Sequence, residues 1–178
     1  MQIQEYERRA FVLKYIDGKV KGACVFEETW TNYYSLVFRY AKDTLESGAV
    51  NKVIFFDGNN PLPYIKDNLE KHGLLSALDE GKLLYLSKRG NKKLENLIIT
   101  TNNPVWQELK LLFTQFRPPV AFIVDGLYDF LPYPFDILNV EQIIMELLLL
   151  LPESPVLVVS TLPEIETWLS YFLEEDNL

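Results

Sequence analysis

The residues of this chain that could do chemistry are a few acids, a basic cluster and an aromatic loop. Asp57 and Asp125 each close a short apolar run, Val53-Ile54-Phe55-Phe56 and Val120 to Val124, and Asp129 follows four residues after Asp125. Carboxylates that converge at strand ends can hold a divalent metal and activate water, which is nuclease chemistry. The plainer reading is turn capping, because Asp57-Gly58-Asn59-Asn60 and Asp125-Gly126 are ordinary turn sequences. Lys88, Arg89, Lys92 and Lys93 form the dense basic cluster, flanked by Tyr85, and read as a DNA contact or as a solvated loop. Tyr128, Phe130, Tyr133 and Phe135, interleaved with Leu131, Pro132 and Pro134, make a proline-stiffened loop that could anchor a partner or fold back as a lid.

Other chemistries are poorly supplied. With one His and one Cys, neither a Cys/His zinc site nor a Ser-His-Asp or Cys-His catalytic set is expected. His72, in Lys71-His72-Gly73, falls where a helix should end and suits a dipole-capping role, and Cys24 falls in an apolar strand pattern as a small hydrophobe. No metal and no cofactor are expected.

The 178 residues are 48% hydrophobic and 13% aromatic, enough for one domain with a substantial core. The net charge of −8 is unevenly spread: residues 1–117 hold all 17 Lys and Arg with 14 acids, and residues 118–178 hold 11 acids and no base. Nucleic acid is expected to avoid that last third, and a basic protein surface to be attracted to it. A single Cys and the lack of a basic stretch leading into an apolar run at the start point to an intracellular protein. The apolar run from Ile143 to Leu151 is broken by Glu146 and stopped by Pro152, well short of the roughly 20 residues a bilayer span needs, so no membrane association is expected.

The elements that would position these groups alternate in type. Strands are expected at Ala10 to Ile16, Val20 to Phe26, Val53 to Phe56, Lys82 to Leu86, Val120 to Val124 and Val156 to Val159. Helices are expected from Asn32 to a stop at Gly48, from Tyr64 to Lys71, from Val105 to Phe116 with Pro104 in the first turn, from Val140 to Leu151 and from Ile165 to Leu173. Leu94 to Ile99 matches neither period. Uninterrupted Val/Ile/Leu/Phe strands alternating with helices predict a single α/β domain over residues 1–178, with a mostly parallel sheet covered on both faces.

Four strand ends together resemble the core of the RecA-like recombinases, over roughly residues 17–163. Asp17-Gly18-Lys19-Val20-Lys21-Gly22-Ala23 is similar to the glycine-rich lead into the family's first core strand. Where the phosphate loop G-x-x-x-x-G-K-[ST] would follow, this chain has Glu27 and Asn32 for the glycines, Tyr33 for the lysine and Tyr34 for the hydroxyl residue. Glycines let backbone N–H groups close around phosphates, and the lysine and hydroxyl hold charge and Mg²⁺. Glu27 and Tyr33 would oppose both, so ATP binding in the usual mode is not expected. Trp30, Tyr33 and Tyr34 would fill the nucleotide space with packed rings.

Ile54-Phe55-Phe56-Asp57-Gly58-Asn59 resembles the strand that carries the family's water-activating glutamate, with Asn59 at that position; an amide is no general base. Leu84 to Asn91 resembles the next strand and its basic tail, with the cations partly out of register. Ala121 to Leu127 resembles a Walker B strand, with Asp125 kept. Val156 to Thr161 resembles the following core strand, and the loops that touch DNA in the family, here Tyr128 to Asn139 and Leu162 to Glu166, carry acids and no base.

The resemblance implies a three-layer RecA-like domain trimmed at its C-terminus and without ATPase activity. It implies a non-catalytic subunit, of the kind found in the Shu complex, that pairs with a related RecA-like chain, homo- or hetero-oligomeric. Such a subunit supports a recombinase in homologous recombination and repair, touching DNA only through the complex. It would work in the nucleus of a eukaryote or the cytoplasm of an archaeon. The alternatives are a carboxylate metal-dependent nuclease built on Asp57, Asp125 and Asp129, or a scaffold of the Elongator-accessory or KaiC-like type.

Overall fold

The computed structural model describes residues 11–16, 19–25, 30–58, 60–100, 102–117, 119–131, 146 and 156–160, with side chains described between Val37 and Leu131 and at Glu146. It is an α/β fold. Strands β1 (Phe11–Ile16) and β2 (Lys19–Val25) are followed by helix α1 (Trp30–Glu46), β3 (Lys52–Asp57), α2 (Leu62–Lys71) and a short α3 (Leu75–Asp79). Then come β4 (Leu83–Ser87), α4 (Pro104–Phe113), β5 (Val120–Asp125), a 3₁₀ turn at Leu127–Phe130 and β6 (Val156–Ser160). The strands form one sheet in the order β1-β2-β6-β5-β3-β4, with β1 antiparallel to β2 and the other four pairings parallel.

The β3, β4 and β5 core explains why its strands read as unbroken apolar runs. Val53 and Phe55 of β3 and Ala121 and Ile123 of β5 join Val37, Phe38 and Ala41 of α1 and Ile65 and Leu69 of α2 in one cluster. Their alternate neighbours Ile54, Phe56, Val120, Phe122 and Val124 join Trp106, Leu109 and Phe113 of α4 in a second cluster, with Leu94, Leu97 and Ile99. A strand buried on both faces loses its polar alternation. Phe56 sits at the centre of the second cluster, its ring edge-on to Phe113 at 5.5 Å and to Phe130 at 6.0 Å.

Local signals set the helix ends. The Asn103 side chain accepts the Trp106 N–H at 3.1 Å and Pro104 occupies the first turn of α4, which needs no N–H there. Helix α2 closes with a Schellman motif: His72 is the cap, Gly73 takes φ +72°, Gly73 N–H donates to Glu70 O and Leu74 N–H to Leu69 O. Leu69 and Leu74 are both buried in the first cluster, the apolar contact that accompanies this motif. The His72 ring lies with Nδ1 2.7 Å from Asn68 O, at the helix end where the sequence puts it.

Two expectations change. The segment Leu74 to Glu80 carries the additional helix α3, and α4 ends at Phe113, three residues before the expected end, with Phe116 in the turn that follows. Leu94 to Ile99 forms turns and irregular chain, its three buried side chains plugging the second cluster. The expected helices at 140–151, apart from Glu146, and 165–173 lie outside the described residues. Among the described residues no helix is long and apolar enough to cross a membrane.

Candidate functional site

The strand order decides where a site belongs. From β3 the chain steps outward to β4, and from β5 it steps the other way to β6, although β3 and β5 are neighbours. Connections that leave adjacent parallel strands in opposite directions open a crevice beyond their carboxyl ends, the usual binding place in such sheets. Asp57 and Asp125 are the last residues of β3 and β5 and are register partners at this point. The neighbouring ends lie along the same edge: Ser87 pairs with Asp57, Val159 with Asp125, and Ser160 with Val25.

Burial of two carboxylates side by side demands compensating hydrogen bonds. Asp57 is fully buried, its Oδ1 accepting the Asn60 N–H at 3.1 Å and its Oδ2 accepting the Tyr85 hydroxyl from β4. The Tyr85 ring stacks on Phe55 with centroids 5.0 Å apart, which fixes the phenol where it meets the carboxylate. Both oxygens of Asp57 therefore serve the turn and the neighbouring strand. Asp125 is also buried, its carbonyl accepting the Gly58 N–H at 2.9 Å.

The crevice itself is filled by protein. A Cβ on Gly58 would lie 2.7 Å from Gly126 O, 2.9 Å from Asp129 Cβ and 3.2 Å from Phe130 Cε2, so the turn after β5 rests directly on the end of β3. Lys88 reaches across from β4: its Nζ donates to Asp129 O and lies 5.7 Å from the Phe130 ring centroid. Burial pushes the Lys88 ammonium below the ordinary lysine range, and the charge of Asp129 partly offsets this. The Arg89 Nε donates to Gly58 O at 3.3 Å. Three successive turns are thus stitched into one block over the two aspartates.

No protein-family model, curated protein or solved structure matches the chain. What the site can do follows from its own side chains. Asp57, Asp125 and Asp129 do gather at one place, as the nuclease alternative requires, but Asp57 is spent on Tyr85 and Asn60 and both strand-end acids are buried. Among the described residues no group of three or more His, Cys, Asp or Glu is arranged to hold a metal ion.

The basic cluster is divided by the fold. Lys88 is drawn into the block, whereas Lys92, Lys93 and most of Arg89 face solvent. The aromatic loop is divided too, and this corrects one expectation: Phe130 is completely buried against Phe56, so it closes the core and offers no ring to a partner. Tyr133 and Phe135, like Glu27 and Asn59, lie outside the described residues, as does the side chain of Tyr128. Asn32, Tyr33 and Tyr34 lie in the first turns of α1, their side chains likewise outside the description.

Tyr85 and Ser87 are the side chains at these strand ends whose roles motif reading misses. Tyr85 reads as a neighbour of the basic cluster, yet it alternates with Leu83 and Ser87 on the buried face of β4. That alternation was the available signal. Ser87 Oγ lies 2.6 Å from Asn60 O and 2.9 Å from Arg89 O, joining the turns after β3 and β4.

Proposed function

We propose that this chain is a non-catalytic, three-layer RecA-like subunit, trimmed at its C-terminus, that assembles with a related protein and supports a recombinase in homologous recombination and DNA repair. One observation carries the reading. The strand ends that resemble the family's nucleotide chemistry lie in a row along one edge of one sheet, and Asp57, Tyr85, Lys88 and Arg89 there are hydrogen-bonded to neighbouring groups of the chain. A nucleotide site needs open N–H groups, a free cation and a carboxylate able to reach Mg²⁺. Here Lys88 and Asp57 are committed to the turn block, and the chain that follows β2 carries Glu27 and Tyr33 in place of glycine and lysine.

An edge locked this way is suited to presenting a fixed surface instead of turning over a ligand. The acidic residues 118–178 would then meet a basic partner surface. The test is affinity capture of the tagged chain from its native cells with identification of the partners by mass spectrometry. A recombinase or a related RecA-like chain among them supports the reading; Elongator subunits, signalling proteins or no partner would remove it. Calorimetry with Mg²⁺-ATP should give no binding, and a low-micromolar dissociation constant would restore an active nucleotide site.

A further inference from the structure

We propose that the turns after β3 and β4 form a surface on this chain for single-stranded nucleic acid, with Arg89, Lys92 and Lys93 holding the phosphate backbone and Tyr64 stacking on a base. The inference rests on the DNA-repair reading for its ligand and adds a site on the subunit itself.

The cations of this chain have different fates. Arg39, Lys42, Lys82 and Lys110 each sit within 4 Å of a carboxylate, at 3.9, 3.7, 2.8 and 3.9 Å. Lys52 lies over the Phe116 ring and Lys88 is held by Asp129 O. Arg89, Lys92 and Lys93 are exposed and carry no carboxylate partner among the described residues. Glu95 is the acid that follows them, exposed two residues on from Lys93. Three cations within five residues, none ion-paired among the described residues and with Glu95 the one acid in the same turn, leave a net positive patch on a protein of net charge −8.

The display is rigid. Gly90 turns the chain at φ +75° with its α-carbon packed toward Pro61, where a Cβ would meet Pro61 Cβ at 3.6 Å. Asn91 then ties the turn twice, its side chain accepting the Lys93 N–H at 3.0 Å and its carbonyl accepting the Leu94 and Glu95 N–H groups. Leu94 is buried and anchors the turn to the core. Side chains held this way lose little backbone freedom on binding.

Pro61 is also the N-cap of α2, and one turn on stands Tyr64, 64% exposed, the one aromatic ring among the exposed large hydrophobic side chains described. An uncovered ring on a turn packed against one that carries cations without carboxylate partners is the combination that binds single strands, because any base can stack and any phosphate can be neutralised. A protein partner would instead require a pocket for an apolar anchor. Pro63 removes one N–H from the first turn of α2, so side chains must hold the phosphates.

The experiment is fluorescence anisotropy of the purified full chain with labelled oligo-deoxythymidine, from about 50 to 200 mM salt. Three phosphate contacts predict a slope of log K on log salt near about −2. R89E/K92E/K93E should weaken binding at least tenfold and flatten the slope, whereas Tyr64→Ala should weaken it by about tenfold with the slope unchanged. Tyr64, Lys92 and Lys93 are at the surface and Arg89 gives up one hydrogen bond to Gly58 O, so Tyr64→Ala should melt as wild type and the triple variant about 2–4 °C lower. No binding at low salt, equal binding by the triple variant, or a preference for duplex of the same length would overturn the proposal. Binding of labelled poly-glutamate without oligonucleotide binding would overturn it too, in favour of an acidic protein ligand. The two readings fail separately, because oligonucleotide binding is measured without any partner and partner capture without any oligonucleotide.

Discussion

Replacing Gly58 by alanine tests whether the turn after β5 lies on the end of β3. The added methyl group would come 2.7 Å from Gly126 O and 2.9 Å from Asp129 Cβ, against the 3.5–4.0 Å at which carbon contacts are favourable. Neither neighbour can retreat freely. Gly126 O accepts the Asp129 N–H at 2.9 Å, and the Gly58 N–H is bound to Asp125 O at 2.9 Å. Overpacking of this kind costs about 1–3 kcal/mol, and breaking one of these backbone bonds adds about 1 kcal/mol. The expected loss is about 2–4 kcal/mol, which for a chain of this size lowers Tm by roughly 5–15 °C. Urea and thermal melts followed by circular dichroism measure it. Gly48→Ala is the comparison, with φ +73° but nothing within 4 Å of the new Cβ, so only the left-handed backbone cost of about 1–2 kcal/mol should appear. If Gly58→Ala were no more costly than a surface substitution, within about 0.5 kcal/mol of wild type, the filled crevice would be wrong.

The Asp57–Tyr85 bond predicts a coupling: Tyr85→Phe should cost about 1.5–3 kcal/mol, Asp57→Asn should also destabilise, and the double variant should lose less than the sum in urea melts. Tyr40 is buried at 2% exposure, and burial pushes its phenol up from 10.0 to about 12, with the Thr44 hydrogen bond a smaller opposing effect. The folded state therefore keeps a proton that the unfolded chain sheds above pH 10. Stability from this group is complete below pH 10 and falls by roughly 2–3 kcal/mol as pH rises through 12, a loss that Tyr40→Phe should lack when melts are compared across that range. Lys88 should titrate below the ordinary lysine value of 10.5 in NMR of its side chain, and Asp129→Asn should lower it further by removing the offsetting charge; a normal titration would place Lys88 in solvent.

The sheet was legible where burial on both faces produced continuous runs, as in Val53 to Phe56 and Val120 to Val124, and α4 where Pro104 marked its first turn. Helix α3 was not, because five residues are too few for a helical period to emerge. Its trace was the spacing of Gly73 and Gly81, both at positive φ and both closing a helix. Leu94, Leu97 and Ile99 fit no period because they plug the core from turns. At the site, Asp57 and Asp125 were visible as strand ends, but their neighbours were not. The partner of Asp57 lies 28 residues away on β4 and that of Lys88 lies 41 residues away, so no local pattern links them. Phe130 was misjudged because an aromatic followed by prolines looks the same whether it faces solvent or core.

The pairing of β2 with β6 has a consequence for how the chain is made. Gly22 meets Leu157 and Val25 meets Ser160, so a strand near the start waits for one near the end. Strands β3, β4 and β5 lie within residues 52–125 and can assemble while the ribosome is still producing the rest. Until β6 emerges, β5 has an unpaired side and the β1–β2 hairpin has no parallel neighbour. Closing so long a loop is slow, and an open strand invites intermolecular pairing meanwhile. Removal of β6 should therefore leave a nascent chain that depends on chaperones, even though the β3–β5 core is intact.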